Sequence, residues 1–110
     1  MKFMNNPQNK KERNIMKTGI EIIAEERKRQ IEVEGWDSEH DKIANNDEQL
    51  AEAAALYALP EIRRTYEYDV NNLWPWNKKW WKPTPNDRIR ELAKAGALIA
   101  AEIDRLQRLK

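Results

Sequence analysis

Residues 84–106 read TPNDRIRELAKAGALIAAEIDRL, and this stretch decides the fold. Ile89, Leu92, Gly96, Ile99, Ile103 and Leu106 recur at intervals of 3, 4, 3, 4 and 3, the spacing of a helical seam. Ala93, Ala97 and Ala100 add a second face of small residues. The pattern predicts a helix over about 85–108 that is apolar on two sides for roughly 33 Å. Thr84 is the expected cap, Pro85 suits the first helical position, and Asp87 at the third complements the positive helix end. One apolar side can serve the core and the other a second subunit. In the alternative, earlier helices cover both.

Two earlier helices are predicted. Thr18 and Glu21 form the pattern of a capping box, and Gly35 is placed to end the helix they open, giving about 19–34. Ile20, Ile23, Ala24, Arg27 and Ile31 fall on one face of it. Asn46 and Gln49 open a second helix, about 47–59, with Leu50, Ala53, Ala54 and Tyr57 on its apolar face. Its three consecutive alanines, Ala53 to Ala55, allow close approach of another helix, and Pro60 ends it or starts a further turn to Tyr66. Residues 36–45 read as a loop, and 66–83 as an ordered loop rich in Trp and Pro. Alternating patterns are absent and there are only three Thr and two Val, so no strand is expected. The reading is all-α: three main helices in a homo-oligomeric bundle, with residues 18–110 as one domain after a flexible, Asn- and Lys-rich tail over 1–17. Met16 is a possible alternative start.

Composition narrows the chemistry. The 110 residues suffice for one domain. Twenty Lys and Arg against nineteen Asp and Glu give a net charge of +1, without the basic excess of a general DNA binder. With no cysteine and one histidine, disulfides, thiolate metal sites and His-pair mechanisms are excluded within one chain. Three glycines cannot make a Gly-rich phosphate loop. No apolar run reaches the roughly 18 residues of a membrane helix, and residues 1–17 lack the apolar centre of a signal peptide. A soluble cytoplasmic protein, without membrane or sequence-specific nucleic-acid partners, is expected.

Four features carry possible chemistry. Four of the five tryptophans, Trp74, Trp76, Trp80 and Trp81, lie within eight residues. Residues 74–94 hold six basic side chains against Asp87 and Glu91. Aromatic faces beside guanidinium and ammonium groups suit a nucleobase with its phosphate, while the plain alternative makes these tryptophans core. Arg27, phased inward, needs a carboxylate such as Glu52 or Glu102, or a ligand phosphate. His40, beside Asp37, Glu39 and Asp41, is either a hydrogen-bonding loop residue or a proton-transfer group. Glu25, Glu52 and Glu102 are candidate Mg²⁺ ligands if the helices aim them inward. MazG-type nucleotide pyrophosphohydrolases, however, need acid pairs three apart. Here Glu48 and Glu52 are four apart, and Glu102 and Asp104 two apart. Solvated faces are the plainer reading.

Taken together, Glu26-Arg27-Lys28-Arg29-Gln30, Glu34-Gly35-Trp36, His40-Asp41, Trp74-Pro75-Trp76, Trp80-Trp81-Lys82-Pro83 and 92–99 (LAKAGALI), ending in 101–106 (AEIDRL), resemble a family of small proteins from phage and prophage early regions. A similar module forms the end of a larger lambdoid early protein. The likeness covers about 20–107. Lys42 stands where the family often has a second Asp. The resemblance implies a phage origin and supplies no catalytic motif. By analogy of size and setting, the expectation is a non-enzymatic small-nucleotide-binding protein, a sponge for a host anti-phage signal. Its expected ligand residues are Arg27, Trp36, Trp76, Trp81, Lys82, Arg88 and Lys94. The alternatives are a Mg²⁺-dependent pyrophosphohydrolase and a protein-binding inhibitor acting through the Trp loop.

Overall fold

A computed structural model describes residues 16–37, 40, 45–64 and 67–109, with backbone alone at 67–69. The elements are α1 (Gly19–Glu32), α2 (Gln49–Ala58), α3 (Glu61–Arg64), α4 (Glu67–Leu73), a 3₁₀ turn (Lys78–Trp80) and α5 (Arg88–Arg108). The regular elements among the described residues are all helical, as the spacing of apolar residues predicts. Most of the tail expected over 1–17 lies outside the described residues.

α5 is the spine, and α1 and α2 both pack against it. Asp87 is its cap, accepting from the Arg90 N–H at 3.1 Å. Thr84, the expected cap, instead donates its N–H to the Glu91 carboxylate at 3.0 Å, and residues 84–87 close a turn. On α2 the expected Asn46 cap is also replaced. Glu48, at φ +63, precedes the helix without a side-chain cap bond, and the Gln49 amide oxygen accepts from the Asp47 N–H. Ala53 and Ala54 are buried where α2 meets α5, and they join Leu50, Leu56, Tyr57, Trp74, Ala95, Leu98 and Ala101 in one core. Small side chains let the helix axes approach, and dispersion contacts accumulate along the seam.

The capping box of α1 forms, with Thr18 and Glu21 satisfying each other's backbone N–H. Gly35, at φ +73, turns the chain so that the Trp36 N–H returns to the Gln30 carbonyl at 3.0 Å. The face of α1 is not the predicted one. Ile20 and Ile31 are exposed, and the buried residues are Glu26 and Gln30. Of the predicted stripe, Ile23 presses on α5 at Gly96. The helix is rotated because its polar residues find partners there: Glu26 binds Arg29 at 2.7 Å and faces Arg90 at 3.8 Å.

The segment expected as a loop from 66 to 83 contains α4 and the 3₁₀ turn before its prolines stop further winding. It is fastened by its aromatics. Trp74 donates to the Asn77 carbonyl at 3.0 Å and Trp76 to Asn45 Oδ1 at 3.1 Å. Beneath it Arg64 closes the end of α2, donating to the carbonyls of Leu56, Tyr57 and Leu59, and pairs through two bonds of 2.7 and 2.9 Å with buried Glu91. Among the described residues, no helix is long and apolar enough to cross a membrane.

Candidate ligand site

The Gly35 turn brings Trp36 over the gap between the Trp segment and α5, and two adjoining compartments result. The first is aromatic, about 300 Å³, lined by Trp36, His40, Asn45, Leu50, Tyr57, Trp74, Trp76, Trp80 and Leu98. The second is charged, about 280 Å³, with Arg29, Arg90, Lys82 and Lys94 set against Glu26 and Glu34. Trp36, Tyr57, Trp80 and Leu98 line both. Trp80 is 57% exposed and sits outside the core, with the Lys79 ammonium 5.2 Å over its ring.

Arg29 holds both acids of the charged compartment, Glu26 at 2.7 Å and Glu34 at 3.5 Å. Lys94 donates to the Lys82 carbonyl at 2.7 Å and lies 5.4 Å over the Tyr57 ring. Burial lowers its ammonium pKa below the ordinary 10.5, and Arg90 and Arg29 lower it further against the pull of Glu26 and Glu91. An anion beside it relieves that repulsion. Gln30 is 1% exposed, and its amide oxygen accepts no hydrogen bond among the described residues, a buried acceptor at the compartment wall.

Four of the seven expected ligand residues, Trp36, Trp76, Lys82 and Lys94, line these compartments. The other three serve the frame. Arg27 donates to the Trp36 carbonyl at 3.0 Å and so fixes the Gly35 turn. Trp81 stacks on Tyr57 with ring centroids 4.7 Å apart and has Arg64 5.6 Å above it. Arg88 donates to the Tyr57 and Ala58 carbonyls and to Glu91, locking the end of α2 onto α5. The candidate Mg²⁺ ligands are not gathered: Glu25 pairs with Lys17 at 2.5 Å, Glu52 is exposed on α2, and Glu102 is buried against Arg105 at 2.7 Å. Among the described residues, no three acids or histidines group as metal ligands. His40 lines the aromatic compartment, and its backbone N–H donates to Asp37 Oδ1 at 3.0 Å.

The expected ligand set left out Arg29, Gln30, Asn45, Tyr57, Trp80 and Arg90, which also line the compartments. Arg29 and Arg90 carried a usable signal, because each lies one helical step from a residue already singled out. Asn45 and Gln30 carried none. Comparison with protein-family models, curated proteins and solved structures finds no match to this chain.

Proposed function

We propose that this chain is a non-enzymatic small-nucleotide-binding protein, with the base stacked in the aromatic compartment and the phosphate in the charged one. The observation that carries this reading is the sharing of Trp36, Tyr57 and Trp80 by an aromatic and a cationic compartment. A base on an aromatic face gains about 1–3 kcal/mol, and Arg29, Arg90 and Lys94 supply charge-assisted bonds to phosphate. Among the described residues, the carboxylates lining the charged compartment, Glu26 and Glu34, are both engaged by Arg29, which favours holding a ligand over activating water. The resemblance to phage early-region proteins extends the proposal to sequestration of a host anti-phage signal in the host cytoplasm. A second reading rests on the exposure of Trp80, which suits the hot spot of an interface with a host protein.

One incubation separates these. The protein is mixed with nucleoside triphosphates, cyclic dinucleotides and ADP-ribose-type signals in the presence of Mg²⁺. It is then filtered out and heated. A compound that leaves the filtrate and returns intact on heating is the expected result. A compound converted to product makes the chain an enzyme. If every compound passes through unchanged, the ligand reading fails and the host-protein reading takes its place.

A further inference from the structure

Five side chains of the seam that identified α5 remain exposed. Ile89, Leu92, Ile99, Ile103 and Leu106 are 66, 46, 48, 52 and 43% exposed, while the opposite face is buried by α1 and α2 through Ala93, Ala97, Leu98 and Ala101. α1 and α2 leave most of the seam side uncovered. At the level of Gly96, where α5 has no side chain, Ile23 of α1 lies across the gap and continues the apolar stripe.

We propose that this face is the interface of a two-fold dimer in which two copies of α5 pair antiparallel. The first argument is area. At about 200 Å² for a fully exposed Leu or Ile, the five residues leave roughly 500 Å² per protomer, the size of the largest apolar patch on a typical monomer. Two such faces bury about 1,000 Å², the lower bound of a specific interface. The second is self-complementarity. The 3-4 spacing sets Ile89 opposite the partner's Leu106 and Leu92 opposite the partner's Ile103, with Ile99 at the level of the partner's Gly96, where that chain's own Ile23 covers the helix. A parallel pair would align the basic Arg88–Arg90 ends with each other. The antiparallel pair brings that basic end near the level of the partner's Asp104. The third concerns the chain itself. Its first 15 residues offer Met1, Phe3, Met4 and Ile15 among Asn and Lys, without the spacing to cover five aliphatic positions. The seam holds no charge that would select a different partner.

The test uses the full chain. Sedimentation equilibrium is expected to give about 26 kDa at micromolar concentration, twice the 13.1 kDa of one chain. Ile99→Glu and Ile103→Glu, at exposed positions, are expected to return 13 kDa with unchanged helical circular dichroism. Orientation is read by cross-linking, because the chain has no cysteine of its own. Leu92→Cys and Ile103→Cys proteins are expected to form a disulfide dimer when mixed and not when oxidised alone. A monomer throughout, or an oligomer that survives both Glu substitutions, overturns the dimer. Cross-linking of each single variant alone overturns the antiparallel pairing. The outcome is independent of nucleotide binding, which is measured separately on the monomeric variants.

Discussion

Tyr57 ties the candidate site to the core. Its ring meets Trp74 edge-on at 5.8 Å and Trp81 at 4.7 Å, its hydroxyl accepts the Lys82 N–H at 3.1 Å, and its carbonyl takes Arg64 and Arg88. Burial raises its phenol pKa above the ordinary 10.0, outweighing the hydrogen bond from Lys82. Neighbouring tryptophans therefore divide sharply. Trp81 packs against Tyr57 and Arg64 at the edge of the core, and Trp80 is largely exposed. Trp81→Ala is expected to cost about 3–5 kcal/mol in urea unfolding. Trp80→Ala is expected to leave unfolding unchanged and weaken nucleotide binding about 10-fold or more, measured by titration calorimetry. Equal effects of the two on stability would remove the distinction. Composition and spacing announced the Trp segment as a whole. Which tryptophan becomes core and which lines the cleft was not legible, because neighbouring rings differ only in what folds over them.

At the scale of elements, caps and spacing set the helices, and partners set their rotation. The capping box at Thr18 and the stop at Gly35 were legible because both are local backbone chemistry. The inward face of α1 was not. Hydrophobicity favours the whole stripe of Ile20, Ile23 and Ile31, but only Ile23 is shown against α5, at Gly96, while Arg29 and Arg90 draw Glu26 inward. α4 was hard to read because it is only seven residues long, with Val70 and Leu73 as its apolar pair and Pro75 close behind. The α1–α5 crossing depends on Gly96: a Cβ there would stand 2.7 Å from Ile23 Cγ1 and nearer still to Cδ1. Gly96→Val is expected to destabilise by about 1–3 kcal/mol through overpacking. Adding Ile23→Ala is expected to recover part of that loss, so the two substitutions are non-additive in urea melts. Strict additivity would mean the helices meet elsewhere.

For the whole molecule, the unusual feature is that its small core is framed by buried ion pairs. Glu91, 1% exposed, receives Arg64 through two bonds, Arg88 at 3.1 Å and the Thr84 N–H at 3.0 Å. It thus joins α3, the turn before α5 and α5 itself, and through Arg64 and Arg88 it holds the end of α2. Burial alone would raise its carboxyl pKa, but the bonds from Arg64, Arg88 and Thr84 outweigh burial and hold it below the ordinary 4.5. The sign follows from linkage. A carboxyl held low in the folded state contributes stability that is fully present above its unfolded pKa, and that is lost as pH falls through the folded one. The chain is therefore expected to lose urea resistance progressively below about pH 4.5. Glu91→Gln removes the charge but leaves Arg64 buried without its counter-ion, so about 3–5 kcal/mol is expected to go at pH 7. That is a large share of the 5–15 kcal/mol typical of a domain this size. The variant is also expected to show a shallower acid dependence than the parent, since one of the groups that must be protonated on unfolding is gone. Urea midpoints for both proteins at pH 7, 5, 4 and 3 measure the two slopes together, and parallel slopes would mean that other carboxylates carry the acid sensitivity.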